Sequence, residues 1–150
     1  HKNIRAIKEA TGNLDNVSQL RTMCGITVLS GDDSLTLPMM ALGATGVISV
    51  ASNLVPREVA QMTKLARAGK FAEALKLHVK LYPLFKTLFV ESNPIPLKYA
   101  MDKSGLCGRT VRMPLTELSG AFKPRMVAVL AELGLTGKEP AGKKSVPKHL

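Results

Sequence analysis

The chain has 150 residues, of which 45% are hydrophobic, and a mean hydropathy of +0.10. This length and composition are typical of a packed domain and exclude an intrinsically disordered protein. No apolar run approaches the roughly 20 residues of a transmembrane helix. The first residues are not followed by the apolar segment of a signal peptide. We therefore expect neither a membrane span nor a secretory leader.

The formal net charge of +10 would ordinarily indicate an anionic partner. Much of the excess, however, lies at expected helix surfaces and in the last residues of the chain. The chain contains four Phe, two Tyr and no Trp, so side chains on which bases could stack are scarce. We therefore expect no nucleic-acid partner.

The two cysteines, Cys24 and Cys107, lie far apart and lack the spacing of metal ligands. They are typical of free, buried thiols in a reducing compartment, and we expect no metal site. Because no signal peptide is expected either, we expect a cytoplasmic protein.

Over the first 69 residues, apolar runs alternate with helical patterns. The sequence predicts strands at 4–7, 26–30 and 47–50, and helices at 13–24, at 35–42 and from Pro56. Strands separated by helices at this period are parallel and joined by right-handed crossovers. On the third helix, Val55, Val59, Met62 and Ala66 are expected to share the buried face.

Lys8 stands where the first predicted strand ends, although a strand buried on both faces should stay apolar to its end. Ligands bind at the carboxyl ends of parallel strands, so Lys8 is the first candidate for chemistry. Asp32 and Asp33, after the second strand, could be mistaken for a metal or acid-base pair. We expect at least one of them to cap the following helix, because an apolar helical pattern comes next.

From residue 70 onward only helices are predicted, at 71–89, 97–104 and 116–133. The first is expected to bury a stripe formed by Leu75, His78, Leu81, Tyr82, Phe85 and Phe89. We interpret His78 as a satisfied core histidine rather than a ligand, because no second ligand accompanies it.

Three βα units make a poor complete domain, because a three-stranded parallel sheet leaves two exposed edges. A closed (β/α)8 barrel needs about 250 residues. We therefore expect the carboxyl-terminal part of a larger TIM barrel, with upstream strands that are missing, cleaved or carried on another chain. Residues 1–69 would be its last three βα units, 70–135 a C-terminal helical domain and 136–150 a loose basic tail.

Four motifs occur in order: Ile-Lys-Glu-Ala-Thr-Gly at 7–12, Leu-Ser-Gly-Asp-Asp at 29–33, Gly-Val-Ile-Ser-Val at 46–50, and Phe-Val-Glu-Ser-Asn-Pro-Ile-Pro-Leu-Lys at 89–98. Together they make the chain similar to the dihydrodipicolinate synthase family, lyases of the class I aldolase type. The resemblance runs from about residue 3 to residue 135.

The resemblance implies that Lys8 ends the sixth barrel strand and forms a Schiff base with pyruvate. The resulting enamine would add to aspartate semialdehyde on the route to diaminopimelate and lysine. Gly31 and Ile48 match positions that line the pyruvate pocket, where Gly31 leaves room for substrate and Ile48 offers its backbone carbonyl. An amine is nucleophilic only when neutral, so such a site must disfavour the charged form. The family also implies a homotetramer and no cofactor.

The family's proton-relay tyrosine, its carboxylate-binding turn and its semialdehyde-binding arginine belong to the first half of the barrel and have no counterpart here. Losing the relay alone should cost about 10²- to 10⁴-fold, so we expect these 150 residues alone to be inactive or nearly so. One alternative is a sister aldolase, similar to N-acetylneuraminate lyase or the 2-keto-3-deoxy sugar acid aldolases. Others are a non-catalytic fragment that retains assembly surfaces, and a basic nucleic-acid binder.

Overall fold

The structure, a computed structural model, describes residues 1–137. They form two compact units, His1–Phe89 and a second unit that begins at Val90. The strands are β1 (Ala6–Glu9), β2 (Thr27–Ser30) and β3 (Gly46–Val47). The helices are α1 (Leu14–Met23), α2 (Thr36–Ala41), α3 (Pro56–Arg67), α4 (Phe71–Thr87), α5 (Ile95–Lys103) and α6 (Lys123–Glu132). Short 3-10 turns lie at Asp33–Leu35, Ala51–Asn53 and Gly120–Phe122.

The first unit contains a parallel sheet in the order β1-β2-β3. Lys8 lies opposite Leu29 on the neighbouring strand, and Leu29 lies opposite Gly46 on the third. The predicted α/β fold class with parallel strands is therefore confirmed. Because the three strands run in one direction, their carboxyl ends and the loops that follow lie along the same edge of the sheet.

The strand boundaries differ from the prediction by one to three residues. β1 begins at Ala6 rather than Ile4, because its pairing with β2 starts where Ala6 lies opposite Thr27. β3 contains only Gly46 and Val47, since the next residues turn away to hydrogen-bond with the loop after β2.

Helices α3 and α4 pack against each other in the first unit. The predicted buried face of the third helix is confirmed, because Val55, Val59, Met62 and Ala66 are all at most 5% exposed. Its start is also confirmed, with Pro56 in the first turn, where a missing N–H costs nothing.

The predicted buried stripe of α4 is largely wrong. Leu81 and Phe85 are buried as expected, whereas Leu75, Tyr82 and Phe89 are about half exposed. The buried face is formed instead by Ala74, Leu81, Leu84, Phe85 and Leu88. Apolar residues occupy two overlapping stripes of this helix, and only the packing partners, α2, α3 and the turn at Asp33–Leu35, decide between them.

His78 is half-buried, 5.9 Å and 6.0 Å from the ring centroids of Tyr82 and Phe85. Its Nδ1 is buried without a hydrogen-bond partner among residues 1–137, so the prediction of a satisfied histidine is wrong. Burial lowers the pKa of His78, because the charged imidazolium loses hydration.

In the second unit, α5 packs against α6. The core there includes Leu97, Ala100, Met126 and Leu130. The last helix begins at Lys123 rather than at 116, because Pro124 is tolerated only in a helix's first turn.

Both cysteines are free thiols, as predicted. Cys24 is exposed at the end of α1, so the prediction that both thiols are buried is wrong for it. Cys107 is half-buried, with the Lys98 ammonium 3.6 Å from its sulfur.

The expected helical domain at 70–135 and the observed second unit do not share a start, since α4 belongs to the first unit. That domain division stays a prediction. Of the expected loose tail, residues 138–150 lie outside the described part of the chain; Gly137 is described and donates its N–H to the Lys103 carbonyl at 3.0 Å. Among residues 1–137, no helix combines the length and apolar character needed to cross a membrane.

Candidate active site

The candidate site lies at the carboxyl edge of the sheet, where Lys8 projects beside the start of the loop after β2. Lys8 is the penultimate residue of β1, and its side chain is exposed. A Cβ added to Gly31 would lie 2.8 Å from Lys8 Cε and 2.4 Å from Ala10 Cβ. Only glycine leaves room for the lysine side chain to pass at this point.

Backbone hydrogen bonds hold the three strand ends in line beyond the ladder itself. The Gly31 N–H donates to the Glu9 carbonyl at 2.6 Å, and the Ile48 N–H donates to the Ser30 carbonyl at 2.8 Å. Two of the three predicted site residues, Lys8 and Gly31, are thus brought together directly. Ile48 follows on the adjacent strand end, one residue beyond the pairing of Ser30 with Val47.

The side chain of Ile48 is 49% exposed, although its residue type alone would place it in the core. Among residues 1–137, β3 pairs with a strand on one side only, so no strand of this part of the chain lies beside its other edge. A role for Ile48 at the site would rest on its backbone carbonyl, as the family resemblance implies.

Glu9, next to Lys8, is a buried carboxylate that the sequence did not point to. It is 6% exposed and accepts hydrogen bonds from the Thr11 hydroxyl at 2.5 Å and the Thr11 N–H at 2.7 Å. These bonds to Thr11 lower the pKa of Glu9, with a smaller contribution from Asn16, and outweigh the opposing effect of burial. Gly12 then turns the chain with a φ of +79°.

Asp33 does not cap the helix that follows it, and neither does Asp32. The prediction of helix capping is wrong, because the Asp33 carboxylate is directed toward the loop after β3. There it accepts hydrogen bonds from the Ser49 hydroxyl at 2.5 Å, the Val50 N–H at 3.0 Å and the Ala51 N–H at 2.9 Å. No signal within the sequence points to partners 16 to 18 residues away.

Comparison with known proteins identifies the family of the chain. The model of the dihydrodipicolinate synthetase family matches residues 1–133. The chain belongs to the dihydrodipicolinate synthetase family. The resemblance inferred from the four motifs is confirmed.

Curated relatives of the family are similar over most of the chain. The 4-hydroxy-tetrahydrodipicolinate synthase of Geotalea uraniireducens is 50% identical over 137 residues, which cover 90% of this chain and 47% of that protein. The enzyme of the same name from Methanococcus vannielii is 48% identical over 135 residues, with the same coverage. The chain therefore spans about half the length of the curated relatives it matches.

Solved structures give the same result for the fold. Dihydrodipicolinate synthase from Aquifex aeolicus superposes with a TM-score of 0.88 at 49% identity, covering 91% of this chain and 47% of that one. The 4-hydroxy-tetrahydrodipicolinate synthase of Methylacidiphilum fumariolicum SolV superposes with a TM-score of 0.87 at 45% identity, covering 89% and 45%. The α/β fold is thus that of part of a dihydrodipicolinate synthase, a TIM-barrel enzyme.

Proposed function

We propose that this chain supplies the Schiff-base lysine of a 4-hydroxy-tetrahydrodipicolinate synthase. The lyase would condense pyruvate with aspartate semialdehyde on the diaminopimelate route to lysine. The three strands would be the sixth to eighth of a (β/α)8 barrel, followed by the C-terminal helical domain. The parallel sheet and the half-length match to full enzymes of that name support this assignment.

The proximity of Lys8 and Gly31 is the observation that carries the proposal. Lys8 stands at a strand's carboxyl end, and its Cε passes so close to Gly31 that a Cβ there would lie only 2.8 Å away. The amine is exposed, so a small keto acid can reach it. Among residues 1–137, no carboxylate forms a salt bridge with Lys8. The arrangement therefore suits a nucleophile better than a structural lysine, which would carry such a partner.

In the proposed reaction, the neutral Lys8 amine attacks the C2 carbonyl of pyruvate, and the carbonyl oxygen leaves as water. Loss of a proton from the methyl carbon of the imine gives an enamine. That carbon then bonds to the aldehyde carbon of aspartate semialdehyde, and cyclisation releases the lysine. Gly31 would leave room for pyruvate, and the Ile48 carbonyl would accept a hydrogen bond beside the reacting nitrogen.

The experiment that tests this proposal is borohydride trapping with pyruvate, followed by an intact mass and sequencing of the modified peptide. Trapping accumulates product in a single turnover, so it detects an imine even when turnover with both substrates is slow. We expect one reduced pyruvyl group, located on Lys8, and none in Lys8→Arg. An unmodified chain, or an adduct shared among several lysines, would refute the assignment.

The acceptor is tested separately, in a full-length version of the protein that traps pyruvate on Lys8. We expect consumption of aspartate semialdehyde, since the similar curated relatives carry the synthase name. Cleavage of N-acetylneuraminate or of a 2-keto-3-deoxy sugar acid in its place would identify a sister aldolase.

We also propose that the protein assembles into a homo-oligomer, which is a tetramer when the protein is full-length. Leu75, Val79 and Tyr82 present a half-exposed apolar row on α4, which supports a covered surface there. Sedimentation velocity of the wild type and of Val79→Lys tests it. We expect the variant to sediment as a smaller species, and an equal sedimentation coefficient at equal concentration would contradict the assignment of this surface.

A further inference from the structure

Asp33 is a buried carboxylate whose hydrogen bonds run between two different strand ends. It is 2% exposed, and its two oxygens accept three hydrogen bonds, all from residues 49–51. A buried carboxylate is costly unless such donors compensate it. Three donors from one short turn fix the position of that turn far more closely than a single bond would.

The loop that carries Asp33 is itself held by hydroxyl groups. The Ser30 hydroxyl donates to the Asp32 carbonyl at 2.8 Å, and the Thr36 hydroxyl donates to the same oxygen at 3.0 Å. Ser30 and Thr36 are completely buried. The carboxylate therefore projects from a fixed backbone, and it can impose its position on the turn that it contacts.

Ile48 lies between two sets of hydrogen bonds, both accepted by residues of the segment 30–33. Its own N–H donates to the Ser30 carbonyl, and the residues directly after it donate to Asp33. The peptide group that bears the Ile48 carbonyl is thus oriented from both sides by the segment 30–33. The same segment contains Gly31, over which the Lys8 side chain passes.

We propose that Asp33 is a positioning residue for Lys8 chemistry. It touches no reacting atom in this assignment. Its carboxylate holds the turn at 49–51, so that the Ile48 carbonyl and the lysine amine keep a fixed relation across the edge of the sheet. The inference rests on the proposed function, because it takes Lys8 to be the nucleophile.

The test compares Asp33→Asn and Ser49→Ala with the wild type. Asp33→Asn keeps the volume but loses the charge and one acceptor oxygen, whereas Ser49→Ala removes one of the three donors. Asp15→Asn is the matched control, because it makes the same charge change at an exposed site on α1. Two quantities are measured: amide hydrogen exchange at 48–51, and the rate of pyruvyl trapping on Lys8 over a range of pyruvate concentrations.

We expect Asp33→Asn to speed exchange at Val50 and Ala51 by about tenfold or more, since a charge-assisted hydrogen bond is lost. Trapping at saturating pyruvate should slow by about tenfold or more, because a small displacement of the reacting groups lowers the rate by that factor. Ser49→Ala should lie between Asp33→Asn and the wild type in both quantities, and Asp15→Asn should match the wild type.

An unchanged trapping rate in Asp33→Asn, beside normal trapping in the wild type, would overturn the inference and leave the proposed function intact. Failure of the wild type itself to trap pyruvate would overturn the proposed function and this inference with it. If Asp33→Asn does not fold, Ser49→Ala decides: faster exchange with slower trapping supports the role, and an unchanged trapping rate refutes it.

Discussion

The two buried carboxylates of the first unit, Glu9 and Asp33, stabilise the carboxyl edge of the sheet in different ways. Glu9, the last residue of β1, accepts its hydrogen bonds from Thr11, two residues further along the chain. Asp33 accepts its hydrogen bonds from a turn 16 to 18 residues away. The hydrogen bonds of Glu9 form a local clamp, which stabilises only the turn that contains it. The hydrogen bonds of Asp33 form a long-range clamp, which couples two strand ends. The edge beside Lys8 therefore has one element that shapes a loop and another that aligns neighbouring loops.

Asp33→Ala removes the long-range clamp and should have the largest effect on stability. It leaves a hydroxyl and two N–H groups without their acceptor, and we expect a loss of about 3 to 5 kcal/mol in the free energy of unfolding. Urea unfolding measures it, with Asp15→Ala as the exposed control. A loss below about 1 kcal/mol would show that water replaces the carboxylate at little cost.

Gly31→Ala tests the contact between the Asp33 loop and the end of β1, because Gly31 belongs to that loop and lies against Lys8 and Ala10. The new Cβ would overlap Ala10 Cβ and Lys8 Cε, and we expect a loss of about 1 to 3 kcal/mol together with displacement of the lysine side chain. Gly108→Ala is a suitable control, since its Cβ would meet nothing within 4 Å. Equal losses of unfolding free energy in Gly31→Ala and Gly108→Ala would contradict the close approach of Gly31 to Lys8 and Ala10.

Glu9→Gln weakens the local clamp, and we expect a loss of about 1 to 2 kcal/mol near neutral pH. The pKa of Glu9 is lowered in the folded state, so its contribution is complete above the ordinary value of 4.5 and is lost as the pH falls through the folded-state pKa. Unfolding free energies of wild type and variant should therefore converge on acidification below 4.5. A difference that is constant with pH would contradict the shift.

His78 lies outside both clamps and should give the smallest effect. Its pKa is lowered by burial, so the folded state binds fewer protons than the unfolded state as the pH falls below the ordinary value of 6.5. Stability should decline over that window in the wild type and not in His78→Leu. If the two proteins show parallel pH profiles of unfolding free energy between about pH 7 and about pH 5, His78 is not responsible.

The sequence was sufficient to predict the structure where a single apolar face or a single motif determines it. Val59, Met62 and Ala66 share one apolar face of α3, and the structure buries that face. Lys8 was predicted as a site residue from its strand end and Gly31 from a family motif, both local patterns, and the structure places the two side by side. Their roles stay a prediction.

The predictions were wrong where residues far away in the sequence determine which side chains are buried or hydrogen-bonded. The apolar residues of α4 fit two faces, and its neighbours bury Leu84 and Leu88 while leaving Leu75 half exposed. Asp33 precedes an apolar helical run, so capping was the natural interpretation, yet its donors come from the turn after the next strand. Side-chain hydrogen bonds across such separations depend on the assembled sheet, which no local pattern describes.

In the proposed function, Lys8 bonds to pyruvate at an edge of the sheet that Asp33 aligns. A crystal structure of the protein grown with pyruvate tests it most directly. We expect continuous density from Lys8 Nζ to C2 of pyruvate, with the turn at 49–51 still bonded to Asp33. Density for pyruvate on another lysine, or an unmodified Lys8 at saturating pyruvate, would contradict it.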